Sequence, residues 1–250
     1  MQKKQTVVGV IPARFGSSRF QGKILADICG KPMIQRVYEQ SKKSNLLDRL
    51  IVAVDDEQVR KCVQEFGGEA VMTRSDHKSG TDRLAEAVEK LDADIVVNIQ
   101  GDQPILDAAM IDEAVQPMLK DAELQMSTLK IKIGEEDYNN PDVVKVVTDE
   151  NDFALYFSRA LIPHSRDKAA VDIFEHVGLY VYRKDFLLEI SKMPQTTLEK
   201  IEMLEQLRVL EQGYRIKVIE TRCDRISGIS VDTPEDLDKV EKIIKEMNLD

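Results

Sequence analysis

Three cations stand close together in Pro12-Ala13-Arg14-Phe15-Gly16-Ser17-Ser18-Arg19-Phe20-Gln21-Gly22-Lys23, with small residues between them. Arg14, Arg19 and Lys23 supply charge, and the glycines and serines leave backbone N–H groups open to a ligand, a combination that suits a polyphosphate. A solvated basic loop is the plain alternative, since Arg and Lys are common on surfaces. The spacing is neither GxGxxG nor GxxxxGK[ST], so neither a Rossmann dinucleotide enzyme nor a P-loop NTPase is supported. A carboxylate follows in Asn98-Ile99-Gln100-Gly101-Asp102-Gln103-Pro104, where Gly101 would let a ligand approach and Asp102 suits a Mg2+ ion on phosphate oxygens. Asp232, in Ser230-Val231-Asp232-Thr233-Pro234-Glu235-Asp236, is a second acid that would complete such a site. Both acids also read as helix caps, and Asp-Thr-Pro-Glu would start a helix whatever the ligand.

The elements around these segments follow a βαβ rhythm. Short β-branched runs at 6–11, 50–54 and 69–72 alternate with amphipathic stretches at 32–43 and 57–66. Residues 95–99 (IVVNI) are apolar nearly throughout, as in a central strand covered on both faces. Ile34, Val37, Tyr38 and Ser41 recur at helical spacing, and so do Leu84, Ala85, Val88 and Leu91 in a helix over 81–91. The expected fold is α/β, with a doubly wound, mostly parallel sheet whose ligands sit at the carboxyl ends of its strands. In the second half, 143–148 and 153–158 flank the turn Asp149-Glu150-Asn151-Asp152, and 176–183 alternates, so antiparallel strands are expected. A helix over 198–212, with Ile201, Leu204, Leu207 and Val209 packing inward, a strand over 215–220 and a closing helix over 234–247 capped by Thr233 complete the reading. A single domain results, with its core at about 1–130 and 210–250 and an inserted β-rich lobe at about 131–209.

Composition narrows the function. The 250 residues carry 35 Lys and Arg against 45 Asp and Glu, a net charge of −10 with the basic residues scattered, which argues against a nucleic-acid partner. An acidic small substrate stays open, because a pocket can be locally basic in an acidic protein. No apolar run approaches the roughly 18 residues of a membrane span, and the polar opening 1–6 leads straight into a strand, so the expected location is the cytoplasm. Cys29, Cys62 and Cys223 lie far apart without metal-ligand spacing and read as ordinary thiols.

Seven segments converge on one family. PARFGSSRFQGKIL, TRSDHKSGTDRLAEAV, VVNIQGDQP, ALYFSRALIP, HVGLYVYR, IEMLEQLRVLEQG and VDTPEDL lie in this order between residues 12 and 237. Together they closely resemble the 3-deoxy-manno-octulosonate cytidylyltransferases, the CMP-Kdo synthetases of lipopolysaccharide synthesis. The resemblance implies a nucleotide-diphospho-sugar transferase-like fold and transfer of CMP from CTP to the anomeric hydroxyl of the acid sugar Kdo, with Mg2+ and release of pyrophosphate. Catalysis would fall to Arg14, Lys23, Asp102 and Asp232, the two acids also holding the metal. Ala13, Arg14, Ser17, Arg19 and Lys23 would bind the triphosphate, and Arg74, Asp76 and Ser79 the cytosine. Gln100, Arg159, His176, Tyr180, Glu205 and Gln206 would form the sugar pocket, with Arg159 meeting the sugar carboxylate in bidentate fashion. Asp82 and Arg83 either touch ligand or decorate the start of the following helix. The family also implies a homodimer formed through the sugar-binding region.

This chain departs from the usual family wording at several places. Gln21 and Ile24 replace prolines in the phosphate loop, Gln103 replaces a common Glu, His164 stands where an aromatic residue is frequent, and Ser230 stands for Gly. These changes touch the sugar and metal neighbourhood. They leave the 8-amino analogue of Kdo, or another acidic sugar such as sialic acid, as alternative substrates, and a nucleotide-sugar glycosyltransferase as a more distant reading.

Overall fold

The computed structural model describes residues 4–16, 20–77, 79–166 and 171–248. In chain order the elements are β1 (Val7–Ala13), β2 (Asp27–Ile28), β3 (Lys31–Pro32), α1 (Met33–Ser41), β4 (Arg49–Val54), α2 (Glu57–Glu65), β5 (Ala70–Met72), α3 (Gly80–Val88), β6 (Ile95–Asn98), α4 (Ala108–Lys120), β7 (Met126–Lys132), β8 (Lys145–Thr148), β9 (Ala154–Ser158), β10 (Phe174–Arg183), α5 (Lys184–Ile190), α6 (Thr197–Glu202), α7 (Gln206–Glu211), β11 (Lys217–Glu220) and α8 (Pro234–Met247). Among the described residues no helix is long and apolar enough to cross a membrane.

The chain divides into two units, Met1–Asp112 with Cys223–Asp250 and Glu113–Arg222, the second inserted into the first. This insertion is longer than the sequence reading placed it. The reason is that β7 and β11 pair in parallel, Lys217 opposite Ser127 and Glu220 opposite Lys130, and so belong together.

In the first unit β6, β1, β4 and β5 lie side by side and all parallel, with Val7 opposite Ile95, Val8 opposite Arg49 and Val52 opposite Ala70. Val7, Val8, Val10 and Ile11 of β1 and all of β6 are buried, which explains why these strands read as apolar runs rather than as alternation. Helices α1 and α3 bury Ile34 and Val37, and Leu84 and Val88, on the faces their spacing predicts. The chain runs from β1 outward to β4 and β5, then returns to place β6 on the other side of β1. The crevice beside the carboxyl ends of β1 and β6 is thus the switch point where such sheets bind ligands.

In the second unit β10 is antiparallel to β7 and β8, and β8 to β9. The turn between β8 and β9 is fixed by Asp149, whose Oδ1 accepts the N–H groups of Asn151 and Phe153 at 2.9 and 2.8 Å. The single helix expected over 198–212 is instead two, α6 and α7, broken at Met203, which takes φ 55°. In an unbroken helix the Glu202 carbonyl would accept an N–H from the next turn. Here it accepts Nε of Arg159 at 2.9 Å. Leu204, Leu207 and Val209 are buried as expected, but Ile201 lies before the break and is 72% exposed.

Candidate active site

Parallel strands send their following segments to one edge of the sheet. Ala13 closes β1, and the exposed Arg14 and then Phe15 follow it; Ser17 and Arg19 lie outside the described residues. Gly22, at φ 69°, adopts the left-handed conformation and turns the chain into a short 3-10 turn over Lys23–Leu25. The Lys23 ammonium then sits between two carboxylates, 2.9 Å from Asp102 Oδ2 and 2.9 Å from Asp232 Oδ1, and donates also to the Val231 carbonyl at 3.0 Å. Burial works against its charge, but the two acids prevail and hold its pKa above the ordinary lysine value.

Neither acid serves as a helix cap. Thr233 caps α8 in a reciprocal box with Asp236, and Asp107, not Asp102, accepts the Ala109 N–H at the start of α4. The two acid-bearing segments are tied together by the Val231 N–H on the Asp102 carbonyl at 2.9 Å and by Gln103 Nε2 on the Gly228 carbonyl at 3.2 Å. Gly101 is required for a reason other than ligand approach: a Cβ there would stand 2.9 Å from the Pro12 carbonyl. It lets the Asp102 loop pack against the end of β1.

Two carboxylates converging on one cation, with oxygen donors only, fit a hard ion such as Mg2+, which Asp102 and Asp232 would hold. Among the described residues no group of three or more His, Cys, Asp and Glu gathers to make an all-protein metal cage. An open cavity of about 490 Å³ on the same unit, with Gln40, Lys43, Asp112 and Met247 in its lining, contains none of the predicted site residues.

The predicted base loop leaves the end of β5. Arg74 and Asp76 are exposed and pair with each other, Nε to Oδ1 at 3.4 Å. Glu86 of α3 anchors the loop by accepting the Arg74 N–H at 3.1 Å and the His77 ring. Burial pushes the Glu86 pKa up, but His77 and the Arg74 N–H outweigh it and hold it below the ordinary value. Ser79 caps α3, its hydroxyl oxygen accepting the Asp82 N–H at 3.1 Å, a bond that does not spend the hydroxyl hydrogen. Arg83 does not decorate the surface; it is buried and paired with Asp55, a residue the sequence reading did not single out.

The first unit also holds Gln100, between β6 and Asp102. The other predicted sugar residues lie in the second unit. Arg159 is clamped by carbonyls, Nε on Glu202 and Nη1 on Pro141, both at 2.9 Å, while its own N–H donates to the Glu202 carboxylate at 3.0 Å. Its carbonyl accepts from Lys145, a fully buried lysine that donates also to the carbonyls of Asn140 and Val143. Burial lowers the pKa of Lys145. Glu202 and Lys145 therefore place Arg159, and neither stands out in the sequence, because the bonds that join them to Arg159 run through backbone groups: the Arg159 N–H, the Arg159 carbonyl and the Glu202 carbonyl.

His176 and Tyr180 share one face of β10 despite a register shift between Val177 and Tyr180, their ring centroids 5.3 Å apart. His176 Nε2 meets Thr128 Oγ1 at 3.0 Å, and burial lowers its pKa to about 3, so the imidazole is neutral near pH 7. Burial first, and the nearby Glu205 charge second, keep the Tyr180 phenol protonated. Its hydroxyl donates to Gln206 Oε1 at 3.1 Å. Gln206 is buried rather than solvent-facing, and its Nε2 has no hydrogen-bond partner among the described residues. Glu205 Oε1 lies 3.5 Å from Arg208 Nη2, and Arg208 in turn forks onto the buried Glu199.

A family model described as Cytidylyltransferase matches residues 8–221. The chain belongs to this family. As a cytidylyltransferase it is a nucleotidyltransferase of mixed α/β fold. It is 51% identical to a 3-deoxy-manno-octulosonate cytidylyltransferase from Trichlorobacter lovleyi, over 96% of this chain and 99% of the relative. A protein of the same name from Geotalea daltonii is 52% identical, over 96% and 98%. Among solved structures, a CMP:2-keto-3-deoxy-manno-octonic acid synthetase complexed with CTP matches with a TM-score of 0.93 and 43% identity, over 97% of this chain and 99% of that one. A 4-diphosphocytidyl-2C-methyl-D-erythritol synthase from Anaerococcus prevotii, at 12% identity and a TM-score of 0.64 over 96% and 99%, shares the cytidylyltransferase fold.

Proposed function

We propose that this cytidylyltransferase transfers CMP from CTP to the anomeric hydroxyl of Kdo, giving CMP-Kdo for lipopolysaccharide synthesis and releasing pyrophosphate. The observation that carries this reading is the meeting of Lys23, Asp102 and Asp232 at the switch point of a sheet whose near-full-length relatives bear that name.

In the reaction the sugar hydroxyl oxygen bonds to the α-phosphorus as the bond to the bridging oxygen of pyrophosphate breaks, and the hydroxyl proton leaves to solvent. Arg14, Arg19 and Lys23, with Ala13 and Ser17 beside them in the sequence, hold the triphosphate and oppose the charge that grows on the leaving group. Arg74, Asp76 and Ser79 select cytosine through its exocyclic amine and ring acceptor. Asp102 and Asp232 would hold Mg2+, which when bound would supply positive charge to offset that of the phosphates. Arg159 pairs with the sugar carboxylate, and Gln100, His176, Tyr180, Glu205 and Gln206 address its hydroxyls. His176 acts as a neutral hydrogen-bonding group, not as an acid.

Tyr180 orients the Gln206 amide so that its donor is the unsatisfied end. A donor wants an oxygen acceptor, which favours Kdo over the 8-amino analogue, whose ammonium would itself donate. Leu155, Ile201 and Met203, all in the second unit and 62%, 72% and 76% exposed, support a homodimer built on that unit. Cys29, Cys62 and Cys223 form no disulfide among the described residues, which fits a reducing cytoplasm.

Steady-state kinetics of Arg159→Ala test the division of labour. The sugar KM should rise by about tenfold or more, the loss expected for a desolvated charge pair, with the CTP KM nearly unchanged. A raised CTP KM with an intact sugar KM would contradict the reading.

A further inference from the structure

Asp55 follows β4 directly, one strand over from the end of β1. Its two oxygens face different loops. Oδ1 accepts the N–H of Phe15, in the phosphate loop, at 3.0 Å. Oδ2 accepts from Nη2 of Arg83 at 2.7 Å. The second arm of the same guanidinium, Nη1, donates to Thr73 Oγ1 at 2.6 Å, and that hydroxyl donates in turn to the Val54 carbonyl at 3.0 Å. Thr73 is the residue from which the base loop springs. The side chains of Arg83 and Asp55 are 5% and 11% exposed, so this is a desolvated pair whose geometry is fixed, not a mobile surface bridge.

We propose that Asp55 and Arg83 are positioning residues that set the spacing between the triphosphate loop and the cytosine loop. The proposal rests on assigning those two loops to CTP. A nucleotide binds through both ends at once, and its affinity exceeds that of its pieces only if the two subsites are held at the span of the molecule. The carboxylate ties Phe15 to Arg83, and the guanidinium fork carries the tie on to Thr73. A lysine at 83 keeps the charge on Asp55 but lacks the fork that reaches Thr73 at the same time.

The test compares CTP with its fragments, cytidine and inorganic tripolyphosphate, by ligand-observed NMR titration with Mg2+ present. The proteins are the wild type, Arg83→Lys and the double variant Asp55→Leu/Arg83→Met, in which an apolar pair replaces the ion pair so that folding does not depend on an orphaned buried charge. In the folded double variant CTP should bind about tenfold or more weaker while each fragment changes by less than about threefold, the signature of lost pre-organisation. Arg83→Lys should fall between it and the wild type. Unchanged CTP affinity in the folded double variant would overturn the proposal. So would fragment losses as large as the CTP loss, which would make the pair a direct contact or a general support. Arg14→Ala provides the separate check on the loop assignment: if it leaves tripolyphosphate binding unaltered, the assignment fails, whatever the pair at 55 and 83 does.

Discussion

His176 is the clearest case in which burial sets a residue's chemistry. Its imidazole packs edge-on to Phe157 with centroids 4.9 Å apart, meets Thr128 and resists protonation down to about pH 3. In the unfolded chain the same group takes up a proton near the ordinary histidine value of 6.5. Between these values the unfolded state binds more protons, so stability is complete above 6.5 and declines as pH falls through the window, by up to about 1.4 kcal/mol per pH unit. His176→Gln should flatten that decline, as read from urea midpoints across the window; an unaltered slope would mean that another group causes it. At this scale the sequence was readable wherever the chemistry dictates the residue type: Lys23, Asp102 and Asp232 do meet. It was silent on Asp55, Lys145 and Glu202, because their roles are defined by backbone groups and side chains distant along the chain. Arg83 was visible as a residue of interest, but nothing in its neighbours along the chain points to Asp55.

Among the elements, α8 shows how a cap serves a site. Thr233 and Asp236 cap each other's backbone, which turns the preceding Asp232 toward Lys23. Thr233→Ala should cost about 1 kcal/mol of stability and also raise the Mg2+ concentration needed for half-maximal turnover, with Thr233→Ser restoring both. A stability loss with unchanged Mg2+ dependence would separate the cap from the site. Periodicity located α1, α2, α3 and α8 to within a few residues, since each buries one face of a regular helix. It joined α6 and α7 because the break is imposed from outside: Arg159 claims the Glu202 carbonyl, a partner no helical pattern can announce. Strand β7 went unread for the opposite reason. It is buried along most of its length through Ser127, Thr128 and Lys130 as well as apolar residues, so its sequence lacks an apolar signature.

For the whole molecule, one unit carries the residues proposed for the nucleotide and for Mg2+, and the inserted unit carries most of those proposed for the sugar. The parallel half was readable from its apolar runs; the extent of the insertion was not, because it depends on which strands pair. Leu155, Ile201 and Met203 are exposed apolar residues of the inserted unit, on which the proposed dimer rests. Light scattering should report twice the chain mass, and the double substitution Ile201→Asp/Met203→Asp should return the monomer; a wild-type monomer at working concentrations would count against the dimer. The measurement that bears most directly on the activity is pyrophosphate release from CTP and Mg2+, with Kdo, its 8-amino analogue and sialic acid compared side by side and Asp102→Asn as the control. Release should be fastest with Kdo and nearly absent in the Asp102→Asn protein, whereas preference for the 8-amino sugar, or silence with all three, would contradict the assignment.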